Sequence, residues 1–176
     1  MRRKIIFTIG HSTHSIKDFI EMLDENQIEH LVDVRHYPGS KYCPQFGKVN
    51  LKNSLKKVGI NYTHLEILGG RRRPTESDLN SGWRSPQFRG YADYMLTKEF
   101  KEGLSQLIEL AKKEKTVIMC AEAVPWRCHR SLISDALFIQ GFEVMDIFNS
   151  TIVKAHNLTT FAKVYRKKIT YPEIHG

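Results

Sequence analysis

The amino-acid sequence predicts an α/β fold: a single Rossmann-like domain with a mostly parallel sheet flanked by helices. Short apolar runs at 5–9, 30–34 and 116–120 are rich in β-branched residues, which is typical of buried parallel strands. Segments with helical spacing of apolar residues alternate with these runs, as in chains built from βαβ units. The chain has 176 residues, enough for one domain with a sizeable core and too few for two ordinary domains.

The first predicted unit is a βαβ unit near the N-terminus. The strand IIFTI is followed by a helix at whose start Ser15 and Asp18 resemble a capping box. The second strand lies in HLVDVRHYPGS and ends at Pro38 and Gly39. Two apolar strands joined by one amphipathic helix predict a parallel sheet with a right-handed crossover.

The remaining elements are predicted in the same way. A short helix at about 50–58 leads to a third strand in INYTHLEIL, and residues 69–90 show no period, which predicts one long functional or disordered excursion. A long helix at about 91–113, the strand TVIMC, a helix from His129 to Gly141 and the strand FEVMDIF follow. We place the domain at 1–148. A basic, aromatic extension at 149–176 is expected to pack on it as a helix or to trail from it as a loose tail.

Polar side chains lie at the ends of the first four predicted strands, at the edge of a parallel sheet where ligands usually bind. The sets are His11 with Ser12, Asp33 with Arg35, His64 with Glu66, and Cys120 with Glu122. One or two polar strand ends are ordinary, because strands emerge into solvent. Four sets together predict a binding crevice.

Two of these sets allow two interpretations each. Gly10, His11 and Ser12 can cradle an anion with backbone N–H groups, or they can form a tight turn before a capped helix. Asp33 and Arg35 can form a structural ion pair. Alternatively, Arg35 binds a phosphate or carboxylate bidentately, which we favour slightly because packing does not require a charge at a strand end.

The loop after TVIMC contains the candidate catalytic residues. Cys128 precedes a helix and lies beside cationic residues, a setting that favours a thiolate nucleophile. Cys120 is a second candidate nucleophile, although a small buried strand residue is its plainer interpretation. Glu122 is a candidate general acid or base together with His11, or a nucleophile at an anomeric carbon. A salt bridge from Glu122 to a neighbouring arginine is compatible with these roles.

The start of the following helix is the predicted anion site. Arg130 and the N–H groups around His129 lie at its N-terminus, where the helix dipole favours negative charge. No cofactor and no metal are expected, because Cys120, Cys128 and His129 lack the paired spacing of zinc ligands.

The excursion at 69–90 is a second candidate site. Positive charge alternates there with aromatic surfaces, which suits single-stranded nucleic acid or a flipped base. The candidate nucleic-acid-binding residues are Arg71, Arg72, Arg73, Trp83, Arg84 and Arg89. A solvated loop with a few packing aromatics has the same composition, so both interpretations stay open.

The charge balance agrees with an anionic partner. Lys and Arg number 27 against 19 Asp and Glu, a formal charge of +8, which favours a phosphate-bearing small molecule or nucleic acid. Three cysteines, no apolar targeting segment and no run long enough to cross a bilayer lead us to expect a reduced, cytoplasmic setting without a membrane partner.

Several stretches occur in a characteristic order: TIGHS, LVDVRHYPGS, INYTHLEILGG, GYADYM, and MCAE followed by CHR. In this order, from Ile5 to Ile147, they closely resemble the uncharacterised family catalogued as domain of unknown function 488. The resemblance implies a single cytoplasmic α/β domain and brings no settled activity. It also implies that Tyr62 and Tyr91 match the family pattern, as do Gly10, Ser12, Asp33, Arg35, His129 and Arg130, and we expect this set to bind the ligand.

These features predict an enzyme-like crevice, a metal-independent hydrolase or transferase site for a phosphorylated or nucleic-acid-derived ligand. Arg35 and Arg130 are expected to hold the anion, with Glu122 and His11 as acid–base groups. One alternative is a nucleoside glycosyl-bond hydrolase or transferase with Glu122 as nucleophile. The other is a non-catalytic nucleic-acid-binding module built on residues 69–90.

Overall fold

The computed structural model describes residues 4–39 and 41–174, and a six-stranded sheet is its central element. The strands are β1 (Ile5–Gly10), β2 (His30–Asp33), β3 (Asn61–His64), β4 (Thr116–Cys120), β5 (Glu143–Ile147) and β6 (Val153–Ala155). Their order is β3-β2-β4-β1-β5-β6. The first five strands pair in parallel and β6 is antiparallel to β5. The predicted mostly parallel, Rossmann-like α/β fold is therefore confirmed.

Helices cover both faces of this sheet. In the described part of the chain they are α1 (Ile16–Glu25), α2 (Lys48–Lys57), α3 (Pro86–Tyr94), α4 (Lys98–Lys113) and α5 (Arg130–Ile139). The first begins as predicted, with the Ser15 side chain accepting a hydrogen bond from the Asp18 N–H. Within the described residues, none of the helices has both the length and the apolar character that a membrane span requires.

The two faces of the sheet carry separate hydrophobic cores, because successive side chains of a strand point to opposite faces. In β4, Val117 and Met119 pack into the core formed with α1 and α2. Ile118 and Cys120 pack into the core formed with α3, α4 and α5. Burial on both faces explains why TVIMC is a continuous apolar run instead of an alternating one.

The strand order separates the first two strands of the chain. β4 lies between β2 and β1 and pairs with both of them. The predicted β1–α1–β2 unit thus belongs to one parallel sheet, although its two strands are not neighbours. As a result, the loops after β1, β2 and β4 leave adjacent positions at the carboxyl edge, where a crevice is expected.

The excursion and the long helix differ from the prediction. The irregular segment ends at Ser85, whose side chain caps α3 by accepting from the Phe88 N–H, and Pro86 occupies the first turn. The predicted single helix at 91–113 is two helices. Helix α3 ends at Tyr94, and α4 begins separately because the Thr97 hydroxyl caps it by accepting a hydrogen bond from the Phe100 N–H.

The C-terminal segment contains strands where a helix or a loose tail was expected. Beyond β6, a hairpin joins β7 (Lys163–Tyr165) to β8 (Lys168–Thr170). Tyr171 follows it and is fully buried, and its hydroxyl donates to Asp135 of α5 at 2.8 Å. Its backbone bonds Asn80 and Gly82, so the hairpin is tied to the excursion as well as to α5.

Candidate active site

A cavity of about 300 Å³ opens at the carboxyl edge of the sheet. Its walls come from the loops after β2 and β4, the turn before α5, the first residues of the excursion and the start of α3. The lining residues are Arg35, His36, Tyr37, Gly70, Arg71, Gln87, Phe88, Tyr91, Cys120, Ala121, Glu122, Arg127, Cys128 and His129.

Backbone hydrogen bonds beyond the ends of β1 and β4, which we call the β1 seam, position the loop that carries Glu122. The His11 N–H donates to the Cys120 carbonyl and the Ser12 N–H donates to the Ala121 carbonyl, both at 2.9 Å. A Cβ atom on Gly10 would lie 1.6 Å from the Glu122 carbonyl oxygen, so only glycine permits this approach. The N–H groups of His11 and Ser12 are therefore occupied by backbone carbonyls of the neighbouring loop and are not available to cradle an anion.

A buried ion pair supports the floor of the cavity. Asp33, which is fully buried, accepts from Arg35 Nε at 2.9 Å and from Arg35 Nη2 at 2.7 Å. Tyr62 donates its hydroxyl to the same carboxylate at 2.6 Å. Burial and the Asp33 charge raise the pKa of the Tyr62 hydroxyl, which stays protonated as a donor. The structural ion pair is thus present, and Arg35 still reaches the cavity wall.

His11 lies beneath this floor and does not line the cavity. Its Nδ1 contacts the Ser12 carbonyl at 2.9 Å, and its Nε2 lies 3.3 Å from Arg35 Nη1. Burial lowers the pKa of His11, so the ring is neutral and can accept from Arg35. The ring also stacks on Phe46 with centroids 4.5 Å apart. The ring therefore lies behind Arg35 and outside the cavity lining, where an acid–base group was expected.

Arg130 is fully buried, and its guanidinium links β1 to the loop after β4 by hydrogen bonds. Its Nη1 donates to the Thr8 hydroxyl at 3.2 Å and its Nη2 donates to the Glu122 carbonyl at 3.1 Å. At the start of α5, the Arg130 N–H lies 3.5 Å from the Cys128 sulfur, and the next N–H groups bond to backbone carbonyls. The expected anion site at this helix start is therefore occupied by the protein's own groups.

Two thiols and an imidazole lie together at the inner end of the cavity. Cys120 and Cys128 are both buried, and the Cys120 thiol donates to the Glu122 carbonyl at 3.7 Å. Cys128 Sγ lies 3.4 Å from His129 Nδ1, and His129 Nε2 lies 2.9 Å from the Val34 carbonyl. Because a carbonyl only accepts, Nε2 carries the proton and Nδ1 presents a lone pair to the thiol. Burial lowers the pKa of His129 to about 4.

The outer wall of the cavity is cationic and aromatic. Glu122 and Arg127 are exposed there, and the Arg71 guanidinium lies 5.4 Å from the centre of the Tyr37 ring. Arg130 holds the backbone of Glu122, so the loop is fixed while the carboxylate side chain faces solvent. Tyr91 is buried behind this wall, with its hydroxyl donating to the Leu68 carbonyl at 2.7 Å.

The residues around the cavity fall within a stretch that matches a known family. The model described as Domain of unknown function DUF488 matches residues 15–137, about 70% of the chain. The chain belongs to this family. No curated protein and no solved structure matches it. The matched residues of this DUF488 domain include every side chain that lines the cavity, whereas β1 and β5 lie outside them.

The arginine-rich excursion of the DUF488 domain contributes little to a common surface. Arg72 lies 3.8 Å from the centre of the Tyr94 ring and donates to the Gly69 carbonyl. Arg89 donates to the Trp83 carbonyl with both Nε and Nη2. The Trp83 ring stacks on Phe88 and also contacts Phe161 and Tyr171. Three of the six candidate nucleic-acid-binding residues thus make internal contacts, while Arg71, Arg73 and Arg84 are exposed.

No set of metal ligands is formed by the described residues. Among them, no group of three or more His, Cys, Asp or Glu side chains is arranged to hold an ion. The Cys120 thiol donates to the Glu122 carbonyl, and His129 is bonded to the Val34 carbonyl through Nε2.

His36, Tyr37 and Gln87 also line the cavity, although they were not predicted from the sequence. His36 and Tyr37 follow Arg35 directly, and their rings meet edge to face at 4.9 Å. An aromatic pair immediately after a charged strand end was the signal that could have identified them. Gln87 carried no such signal, because its place depends on α3 beginning inside the excursion.

Proposed function

We propose that this DUF488 domain is a hydrolase or transferase that binds a phosphorylated or nucleic-acid-derived ligand in the cavity described above. One observation carries the proposal: three arginines, Arg35, Arg71 and Arg127, and a single carboxylate, Glu122, line the same cavity. The arginines hold the anion, and Glu122 serves as general acid or base.

The charge distribution supports an anionic ligand. Asp33 lies beneath the cavity and neutralises much of the Arg35 charge, so Arg71 and Arg127 supply most of the accessible positive charge. Guanidinium groups bind phosphate with directed, paired hydrogen bonds. Arg71 also has a φ of 62°, a conformation that costs free energy for a residue with a side chain. Such local strain clusters at binding sites, which supports a role for Arg71 in holding the ligand.

The walls support a ligand with a flat ring system. Tyr37 and Phe88 line the cavity beside the cationic groups, and Tyr37 is 66% exposed. Aromatic faces of this kind stack on bases without regard to sequence. The volume of about 300 Å³ is at the lower end of the usual range for small-molecule sites, which fits one nucleotide better than a long chain.

Glu122 is the acid–base candidate because of how it is held. The Arg130 guanidinium fixes its carbonyl at 3.1 Å and the β1 seam fixes the adjoining Ala121 carbonyl. Because the backbone at Glu122 is held, the range of positions that its carboxylate can take relative to a bound ligand is limited, which favours general acid–base catalysis. His11 is not assigned a chemical step, because it lies beneath Arg35.

The binding arm of the test uses a matched pair of arginines. A 5′-mononucleotide is titrated by calorimetry into the wild-type protein, Arg71→Ala and Arg84→Ala. Arg84 is an exposed arginine of the same excursion that does not line the cavity. We expect Arg71→Ala to raise Kd about tenfold, or about 1.4 kcal/mol, and Arg84→Ala to leave it unchanged. An equal loss in both variants would place binding in the excursion and contradict the proposal.

The turnover arm uses Glu122→Gln. Mononucleotides and a short oligonucleotide are incubated with each protein, and released phosphate, nucleoside and base are separated by chromatography. We expect Glu122→Gln to bind the mononucleotide like the wild type and to lose turnover by a factor of about 100 or more. Release of free base would favour the alternative in which Glu122 is a nucleophile at the anomeric carbon. Binding without any turnover would indicate a non-catalytic module.

The proposal includes a reduced, cytoplasmic setting. Its support is the state of the cysteines: all three are buried thiols, and none forms a disulfide. Comparing the location of the native protein between cell fractions would test it directly.

A further inference from the structure

We infer that Cys120 and Cys128 form a redox-active dithiol, which a small hydroperoxide converts into an intramolecular disulfide at the inner end of the cavity. The two thiols line the same cavity and belong to the same buried core, and each perturbs the pKa of the other. Cys120 ends β4, and Cys128 precedes α5. The inference goes beyond the proposed activity, because it assigns a covalent modification that does not involve the nucleotide-like ligand.

The surroundings of the pair favour a thiolate. The fully buried Arg130 guanidinium contacts Thr8 and the Glu122 carbonyl, and in the described residues its Nε has no hydrogen-bond partner. Its charge is therefore available to the nearby sulfur atoms. The N-terminal N–H of α5 also points to Cys128 Sγ at 3.5 Å.

The two thiols have different roles. Burial raises the pKa of Cys120, but the hydrogen bond from Cys128, the Arg130 charge and the Glu122 backbone outweigh it, so the net pKa is lowered. The hydrogen bond to Cys120 and burial raise the pKa of Cys128. Cys120 is thus the thiolate that attacks, and Cys128 is the thiol that resolves. Oxidation of Cys120 removes the negative charge that opposes ionisation of Cys128.

A hydroperoxide is the oxidant that converts the two thiols into a disulfide. The Cys120 thiolate attacks the terminal oxygen of the hydroperoxide and the O–O bond breaks, which gives a sulfenic acid. The leaving alkoxide or hydroxide takes up the proton that Cys120 released to water on ionisation and departs as an alcohol or water. Cys128 then attacks that sulfur. Its proton passes to the departing hydroxide, by way of His129 Nδ1 at 3.4 Å, and water leaves. Two thiols and one hydroperoxide thus give one disulfide, one alcohol and one water.

The third cysteine provides an internal control. Cys43 lies in the core on the opposite face of the sheet, and its Sγ donates to the Ser12 carbonyl at 3.5 Å. It does not line the cavity. The inference therefore predicts that oxidation is specific to one pair among three buried thiols.

The experiment treats the full-length wild-type protein with one equivalent of hydrogen peroxide, alkylates it without reduction and digests it with trypsin. Cleavage after Arg127 separates the two cysteines, so a disulfide joins the peptides TVIMCAEAVPWR and CHR. We expect this linked pair by mass spectrometry, lost on addition of dithiothreitol, with Cys43 alkylated as in the untreated protein. Unlinked, alkylated forms of both peptides after peroxide treatment would overturn the inference, as would a disulfide that includes Cys43.

Two variants test the order of the steps. In Cys128→Ser, peroxide should leave a sulfenic acid at Cys120 that dimedone labels. In Cys120→Ser, labelling of Cys128 should fall at least tenfold relative to that signal. Labelling that is stronger at Cys128 would reverse the roles and contradict the assignment. Circular dichroism of both variants verifies that they fold, and the wild-type experiment does not depend on that result.

Discussion

Replacing Gly10 with alanine is expected to destabilise the protein and displace the loop that carries Glu122. The new Cβ would lie 1.6 Å from the Glu122 carbonyl oxygen and 3.0 Å from the Ala123 Cα, so the loop must retreat by roughly 1.5 Å or more. That shift breaks the bond from Arg130 Nη2 to the same carbonyl, which costs about 1.5–3 kcal/mol. Overpacking adds about 1–3 kcal/mol. We therefore expect the free energy of unfolding to fall by about 2.5–6 kcal/mol.

Urea denaturation of the wild type, Gly10→Ala and Gly39→Ala measures this loss. Gly39 is the matched control, because a Cβ there would meet no atom within 4 Å. The Gly39 variant should stay within about 0.5 kcal/mol of the wild type. Thermal melts should show a decrease in Tm of about 10 °C for Gly10→Ala, at about 2–4 °C per kcal/mol. Equal midpoints for the two variants would refute the close approach of the loop to β1.

Three further predictions rest on buried groups. Burial lowers the pKa of His129 to about 4, so as the pH falls the unfolded chain takes up a proton before the folded protein does. The free energy of unfolding should therefore be highest above about pH 6.5 and lower by about 2 kcal/mol at pH 5. Urea titrations at several pH values should show this fall in the wild type and a smaller one in His129→Gln. Arg72→Ala should cost about 1–2 kcal/mol through its contacts with Tyr94 and Gly69, whereas the exposed Arg73→Ala should cost less than about 0.5 kcal/mol in the same assay. Asp135→Ala removes the acceptor of four hydrogen bonds and should release the C-terminal hairpin, so limited trypsin digestion should cut it before the rest of the chain; equal protection in wild type and variant would argue against this.

The strands were predictable because local composition determines them. Apolar, β-branched runs identified the five parallel strands, and the polar residues after β2 and β4 do border one cavity. The insertion of β4 between β2 and β1 was not predictable, since the period of a strand says nothing about its neighbours. The start of α3 was missed although Ser85 and Pro86 form a standard helix start. The density of glycine and arginine around them obscured it.

The chemistry of single residues was harder to assign, because burial depends on contacts between distant segments. Arg130 looks like an anion ligand in sequence, yet Thr8 and the Glu122 carbonyl occupy it inside the protein. Trp83 and Arg89 look like a nucleic-acid surface, yet Trp83 packs on Tyr171 from the far end of the chain. The pairing of Cys120 with Cys128 likewise depends on how the loop between them folds.

The position of β1 has a consequence for synthesis on the ribosome. β1 emerges first, but its partner β4 follows about 110 residues later, with β5 later still. At roughly 5–20 residues per second, β1 waits several seconds or more for both of its neighbouring strands. High sequence separation between partners also slows the final ordering step. The seam that joins Gly10 to Cys120 is thus among the last parts to form, and a stalled or truncated chain would present β1 as an unpaired apolar strand to chaperones.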